Sequence, residues 1–559
     1  MRSFLRAAVT GAVVGAVGLG SAWGAAVLTT PALPAVPAPP TSVVAPPAAG
    51  AAAQEQAPAA TAAAVAPGER LPAGWWLAGS ATTSLVPPAD RWKQAAECRG
   101  SSPEQLYTPL TPDGCLITFD MLWADGVDSD NPIQARSVAL SNGVDTVVFT
   151  VMDVVGYMAS YPADLCADCG IGQVTQALST ELGIPARNLV VQASHTHAAP
   201  STIAKGAPWY YQYVRDQLKA SVRGAVADLR TSPPVRLETG ATAAKAYNVD
   251  RRIADRAVPD FELGWLRAFV PGQGAGKGTT RAVLGSFAVH PTVRNANARL
   301  HSGMVGPFTR RLSQELGGAA LFLPGAIGDQ TPDKGFGING LGEGLADLVV
   351  EDVRRGGTVL QSNDVEVAAT TVQVPVENAF FAGALASGYA VRDILPPYGG
   401  GPHAVSTRAN GGRLPNCVGA GSTHVVTPVS AVRLGARPAP GKVETGRPED
   451  RRPVPTDNVV LVQTPGEVFA SIGLVVKDYL SRSSNVLVQG LTNDTIGYII
   501  PANQYDLFAS QGGGLVGNAA GTSNYEEALS LGRCTGELVT TAALQMGAQL
   551  GVMGEGEAP

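Results

Sequence analysis

Two histidines spaced two positions apart follow a strongly apolar run of this sequence. Residues 189–193 (LVVQA) lead directly into Ser194, His195, Thr196 and His197. The chain has six histidines in 559 residues, so a pair at the end of an apolar run indicates a site. Because alternate residues of an extended chain point to the same side, both imidazoles could face one cleft. Such a pair suits a metal site or a proton-transfer site.

Two further apolar runs end in residues that can bind a metal. Residues 282–289 (AVLGSFAV) precede His290, and residues 459–463 (VVLVQ) precede a Thr-Pro-Gly turn and Glu467. Strand ends are where α/β folds build sites, because loops there converge over a rigid base. Two histidines and a carboxylate form a ligand set familiar from catalytic zinc, with room left for water or substrate.

The segments that carry these residues alternate between strand and helix patterns. A helix is predicted over 173–182, ended by Gly183, and a second over 211–229 from apolar residues spaced by three or four. Strands are predicted at 137–140, 146–152, 189–193, 263–270, 282–289, 320–323 and 459–463. We therefore predict an α/β fold, a large single catalytic domain with a mixed β-sheet core, flanking helices and the site at strand ends.

The start of the chain has the three-part layout of a secretory signal peptide. Arg2 and Arg6 precede an uncharged run, and small residues follow it. We predict a signal peptide over 1–26 and a secreted protein. The uncharged run continues to about Pro31, so an N-terminal membrane anchor is the alternative.

Three further regions follow this segment. Residues 27–73 are rich in alanine and proline, which predicts a disordered linker. The catalytic domain is predicted over 74–551, with a flexible tail over 552–559. A net charge of −6 and a charged fraction of 15% leave no basic stripe, so no nucleic acid is expected as a partner.

Six cysteines in an exported chain suggest disulfides. The Cys-Ala-Asp-Cys spacing at 166–169 also matches a redox motif, but no thioredoxin-like strand and helix surround it, so a structural bridge is favoured. Proximity in the sequence favours three pairs among the pairings that six cysteines allow: Cys98 with Cys115, Cys166 with Cys169, and Cys417 with Cys534.

Taken together, five motifs resemble those of the neutral and alkaline (non-lysosomal) ceramidases, zinc amidases that split the N-acyl bond of ceramide. They occur in the family's order across most of the predicted domain. They are HTHAAP at 195–200 (HTHSGP in the family), FAVHPT at 287–292 (FAVHGTS), GDQTPD at 328–333 (GDVSPN), PGE at 465–467, and GLTND to GY at 490–498 (GLANDYSGY).

This resemblance implies a Zn²⁺ ion held by His195, His290, Glu467 and Tyr498. Spacing alone would not have suggested the phenolic ligand. His197 would lie beside the metal as an acid/base or carbonyl-polarising group. Three of these residues also have a structural interpretation as the alternative to a role in the site. Glu467 could stabilise a helix start, Tyr498 could be an ordinary strand aromatic, and His197 could be an orienting hydrogen-bond partner.

The resemblance also assigns residues that would meet the substrate. Thr331 stands where the family has a serine regarded as catalytically essential, and a threonine hydroxyl can attack or orient water. Its structural reading is a turn residue before Pro332. Arg251 matches a substrate-contacting arginine of the family, with Arg252 as the alternative.

Departures from the family pattern affect the groups that would face the substrate. Besides Thr331, proline replaces glycine at 291, and the family's usual aspartate is absent around 300–304. The immunoglobulin-like domain that usually follows is also expected to be missing. The resemblance implies a secreted zinc amidase for ceramide or a related lipid amide, with peripheral membrane or micelle contact. The alternatives are a related zinc hydrolase of another amide or ester, and an inactive ceramidase-like binding protein.

Overall fold

Three β-sheets carry the apolar runs of the sequence. The computed structural model describes residues 68–98, 114–119, 122–204, 206–252, 258–272, 278–293, 298–386, 391–392, 423–438, 456–481, 483–506 and 525–553. The predicted signal peptide and most of the predicted linker and tail lie outside them. The described elements are, in chain order, β1 (Leu77–Ser84), α1 (Ala95–Cys98), β2 (Gln134–Ser141), β3 (Thr146–Met152), α2 (Ala163–Cys166), α3 (Ile171–Leu182), β4 (Leu189–Ala193), α4 (Pro208–Leu229), β5 (Arg236–Ala243), β6 (Asn248–Asp250), β7 (Glu262–Pro271), β8 (Gly278–Phe287), α5 (Val305–Leu316), β9 (Ala319–Pro324), β10 (Gln330–Pro332), α6 (Gly337–Arg355), β11 (Thr358–Val359), β12 (Val365–Pro375), α7 (Ala379–Ala386), β13 (His424–Gly435), β14 (Asn458–Gln463), β15 (Glu467–Val468), α8 (Ala470–Leu480), β16 (Asn485–Gln489), β17 (Tyr498–Ile499), α9 (Tyr525–Ala528) and α10 (Thr535–Gln549), with 3-10 helices at Ala186–Asn188 and Lys334–Phe336.

Each of the three larger sheets combines antiparallel neighbours with one parallel pair. Their strand orders are β1-β2-β3-β4, β11-β5-β7-β8-β9 and β12-β13-β14-β16. The parallel pairs are β3 with β4, β8 with β9, and β14 with β16. Helix α3 ends as the sequence predicts, since Gly183 has a φ of 70° in the left-handed region that favours glycine.

The inward faces of the three sheets meet in one apolar core. Phe149 from the first sheet, Leu266 from the second and Leu461 from the third belong to a single buried cluster. The outer faces are covered by α3 and α4, by α5 and α6, and by α8 and α10, respectively. Burial on both faces explains why the strands appear as nearly continuous apolar runs. The α/β prediction, with a mixed-sheet core and flanking helices, is confirmed.

The carboxyl ends of the three parallel pairs are joined by one side chain. Gln192 lies near the end of β4, and its amide nitrogen donates to the carbonyl oxygens of Pro324 and Gly490, each at 2.7 Å. Pro324 ends β9, and Gly490 directly follows β16. Loops that leave these strands therefore start from one place in the fold.

Two small ladders complete the region beyond the strand ends. β6 and β10 pair antiparallel, with Val249 opposite Thr331. β15 and β17 pair parallel, with Glu467 beside Tyr498. Gly466 is needed here, because a Cβ atom on it would lie 2.4 Å from the carbonyl oxygen of Gly497.

Disulfides join two of the predicted cysteine pairs. Cys98 is bonded to Cys115 and Cys166 to Cys169, so both predictions are confirmed. Cys534 is also disulfide-bonded, whereas Cys417, its predicted partner, lies outside the described residues. Among the helices of the described ranges, none combines the length and apolar character needed to cross a bilayer.

Candidate metal centre

Three predicted ligands come together beyond the ends of three different strands. His195 follows β4, His290 follows β8, and Glu467 follows β14. Nε2 of His290 lies 2.9 Å from Oε2 of Glu467, and Nε2 of His195 lies 3.3 Å from the same oxygen. One ligand atom from each residue lies within 4.8 Å of the other two, and all three residues are buried. This His/His/Glu group could bind a metal ion.

His195 reaches this position through a turn. β4 ends at Ala193, and the φ of His195 is 64°, which is uncommon for a residue other than glycine. The inference that His195 and His197 face one side because they alternate along an extended strand is therefore wrong. The turn nonetheless brings their ring centroids to 5.1 Å. Left-handed backbone of this kind costs about 1–3 kcal/mol and concentrates at functional sites.

Backbone carbonyls determine which ring nitrogen of each histidine faces Glu467. Nδ1 of His195 lies 2.6 Å from the carbonyl oxygen of Val155, and Nδ1 of His290 lies 2.9 Å from that of Gln330. Because a carbonyl oxygen only accepts, each Nδ1 must carry the proton. In a neutral ring, Nε2 then presents a lone pair to the carboxylate oxygen, and two such contacts are repulsive.

A cation among the three groups removes this repulsion. The alternative is a second proton on each imidazole, but burial and the nearby positive charge of Arg251 lower the pKa of His290 to about 3. Histidine ligands of metals commonly donate their other N–H to a backbone carbonyl or carboxylate, as both rings do here. The donor set therefore fits a divalent metal.

Glu467 lies at the start of β15 and outside the helix that follows. α8 begins at Ala470, and the backbone N–H of Ala470 donates to Oδ1 of Asp329 at 2.8 Å. Asp329, and not Glu467, therefore accepts the first backbone N–H of this helix.

Tyr498 lies on β17, which pairs with β15 and so places Tyr498 next to Glu467. Its ring is also a neighbour of the His290 ring. The two rings are stacked, with centroids 6.5 Å apart and an interplanar angle of 30°. The phenol oxygen accepts a hydrogen bond from Nη2 of Arg251 at 3.1 Å. Burial, and then the Glu467 carboxylate, raise the pKa of this phenol well above its usual value.

The ring centroids of His197 and His290 each lie 5.1 Å from that of His195. The His197 ring is partly buried and meets the ring of Phe119 edge-on, with centroids 4.5 Å apart. The structure thus places His197 beside the His/His/Glu group and not among its three members.

Thr331 directly follows Gln330, whose backbone carbonyl oxygen holds the ring of His290. That carbonyl accepts from the backbone N–H of His290 at 3.1 Å as well as from its Nδ1. Arg251 donates its backbone N–H to Asp329, which continues the β6–β10 ladder by one pair. Thr331 and Arg251 therefore lie on the two neighbouring segments that this ladder joins.

Arg251, and not its neighbour Arg252, contacts Tyr498. Arg252 instead donates to Glu527 at 2.7 Å and to the carbonyl oxygen of Gln504 at 2.9 Å. The structure therefore favours Arg251 between the two arginines that the motif left open.

Three residues that the sequence did not single out also lie at this site. Burial, and then Asp250, raise the pKa of Asp329 to about 7. Glu526 accepts from Nε of Arg251 at 2.8 Å. The carbonyl oxygen of buried His301 accepts from the hydroxyl of Thr196 at 2.9 Å. Asp329 lies within the GDQTPD motif, which could have revealed it, whereas no apolar strand precedes the other two.

The metal-free protein is expected to lose stability as the pH falls below about 6.5. Between that value and about 3, unfolded His290 is protonated while folded His290 is not. The free energy of unfolding therefore falls with pH by up to about 1.4 kcal/mol per pH unit from this residue.

Urea unfolding of chelator-treated protein from pH 7 to pH 4 measures this slope. We expect His290→Asn to flatten it. An unchanged slope in this variant would show that His290 does not titrate as argued.

Among solved structures, ceramidases share this fold. The neutral ceramidase from Pseudomonas aeruginosa matches with a TM-score of 0.53, covering 87% of this chain and 76% of that chain at 14% sequence identity. A ceramidase complexed with C2 matches with a TM-score of 0.53, covering 88% and 77% at 15% identity. No protein-family profile and no curated protein matches the sequence. The resemblance that the motifs indicate is thus confirmed at the level of the fold.

Proposed function

We propose that this protein is an exported zinc-dependent amidohydrolase that cleaves the N-acyl bond of ceramide or a related lipid amide, releasing a fatty acid and an amine. The observation that carries this proposal is the orientation of His195 and His290. Both present Nε2 to one oxygen of Glu467, with both Nδ1 atoms occupied by carbonyls. The neutral ceramidase fold supports the choice of an amide substrate.

The residues that would hold the zinc are His195, His290 and Glu467, with Tyr498 as the fourth ligand. A bound zinc ion would polarise the amide carbonyl and bring the pKa of a bound water down to about 7. Two neutral imidazoles and one carboxylate leave such an ion with net positive charge, which preserves this effect.

The remaining side chains supply proton transfer and orientation. His197 lies beside the metal-binding group, where an imidazole can deliver a proton to the departing amine. Thr331 lies on the strand that pairs with the segment leading to Arg251, and its hydroxyl can attack the carbonyl or orient water. Arg251 brings a permanent positive charge that stabilises a developing oxyanion.

Chelation and substrate comparison test this proposal. We expect the purified protein to release fatty acid from a fluorescent ceramide, to lose this activity after treatment with 1,10-phenanthroline, and to regain it with one equivalent of Zn²⁺. Undiminished turnover after complete metal removal would contradict the metal-dependent mechanism. A preference for water-soluble N-acyl amino acids or esters over ceramide would instead favour another substrate of the same reaction type.

A further inference from the structure

A buried carboxylate holds the arginine that contacts Tyr498. Nε of Arg251 donates to Oε1 of Glu526 at 2.8 Å, while Nη2 donates to the phenol of Tyr498 at 3.1 Å and to the carbonyl oxygen of Gly328 at 2.6 Å. The Glu526 side chain is 2% exposed and that of Arg251 is 19% exposed. Glu526 therefore fixes the guanidinium from its buried side.

Aromatic rings enclose the same guanidinium. Its carbon lies 5.6 Å from the ring centroid of Tyr498 and 5.3 Å from that of Tyr525. A guanidinium is planar and carries its donors in a rigid fork, so hydrogen bonds to three partners leave it one orientation. Arg251 thus links the phenol of Tyr498 to the carboxylate of Glu526 through direct hydrogen bonds.

We propose that Glu526 is a positioning residue of the candidate site, which fixes Arg251 and, through it, the phenol of Tyr498 beside His290. This inference rests on the proposed function, because the phenol and the guanidinium matter only if the reacting amide binds next to them. Glu526 itself acts through Arg251 and need not touch the substrate.

The adjacent residue provides a matched control. Glu527 is also buried, and its carboxylate accepts from both Nη atoms of Arg252, at 3.2 and 2.7 Å. The Arg252 guanidinium lies over the ring of Phe469, 5.2 Å from its centroid. Oε2 of Glu526 also lies 3.4 Å from Nη1 of Arg252. Both Glu526→Gln and Glu527→Gln therefore remove a buried charge beside Arg252, but only the first removes the Arg251 anchor.

Steady-state kinetics on ceramide compare the two variants with the wild-type protein. We expect Glu526→Gln to lower kcat by about 10- to 100-fold with KM within about twofold, since a misplacement of about 1 Å can cost roughly 100-fold in rate. Glu527→Gln should keep kcat within about twofold. Arg251→Met should lower kcat similarly, and adding Glu526→Gln to it should cause little further loss.

A second readout is independent of turnover. The visible absorption spectrum of the cobalt(II)-substituted protein reports the donor atoms around the metal, and we expect Glu526→Gln to change it and Glu527→Gln to leave it unaltered. The positioning inference is overturned if Glu526→Gln retains the wild-type kcat and cobalt spectrum, or if both glutamine variants lose activity equally. Failure of the proposed function would appear separately, as a wild-type protein without ceramide turnover.

Discussion

His195→Ala is expected to abolish both zinc binding and amide hydrolysis. The substitution removes one of three buried donors that meet within 4.8 Å. His290, Glu467 and the phenol of Tyr498 would then have to hold the ion without the second imidazole that catalytic zinc sites of this type use. Loss of a Lewis acid removes several kcal/mol of transition-state stabilisation. At about 1.4 kcal/mol per factor of ten, the expected fall in kcat/KM is about 1000-fold or more.

Metal analysis of the purified protein, together with ceramide turnover, measures this effect. His424→Ala is the matched control. His424 is also buried, but it begins β13 and is not a member of the His/His/Glu group. The control should retain one zinc per chain and most of the activity. A His195→Ala protein that still binds stoichiometric zinc would remove this residue from the metal site.

Removal of the Thr331 hydroxyl is expected to have the second largest effect. Thr331→Val keeps the branched shape that suits β10 and deletes only the hydroxyl, so we expect kcat to fall by about 100-fold or more with zinc content unchanged. Thr331→Ser, which keeps the hydroxyl, should retain activity within about tenfold. The structural reading as a turn residue does not hold, since Thr331 lies in β10 opposite Val249.

Single-turnover kinetics on both variants, with metal content measured in parallel, provide the test. Mass spectrometry of rapidly quenched wild-type protein distinguishes the two possible roles, because direct attack adds an acyl group to the peptide that contains Thr331. Wild-type kcat in the Thr331→Val variant would exclude any chemical role for this hydroxyl.

The sequence predicted the parts of the fold in which local pattern and burial agree. Continuous apolar runs identified β3, β4, β7 and β14, because strands buried on both faces have no polar alternation. His195, His290 and Glu467 could be predicted as site residues for the same reason, since each follows such a run within a few residues. Their convergence could not be read from the runs themselves, because it depends on the packing of three sheets.

Other features of the site depend on tertiary contacts that leave no local pattern. Tyr498 lies on a two-residue strand, β17, and only the motif resemblance pointed to it. The left-handed turn at His195 contradicts the extended conformation that the preceding strand suggested. Glu526 lies on a four-residue helix far along the chain, and only its contact with Arg251 reveals a role.

The two histidines and the glutamate of the candidate metal centre come from three separate sheets. This origin bears on how folding and metal binding are coupled. His195 follows a strand of the first sheet, His290 one of the second, and Glu467 one of the third. A chain in which any one sheet has not yet docked cannot bring the three donors together, so a metal ion would find its complete site only after all three sheets have packed. A bound ion would then crosslink segments of chain that are far apart in sequence. Its binding free energy would add to the free energy of unfolding of the folded protein.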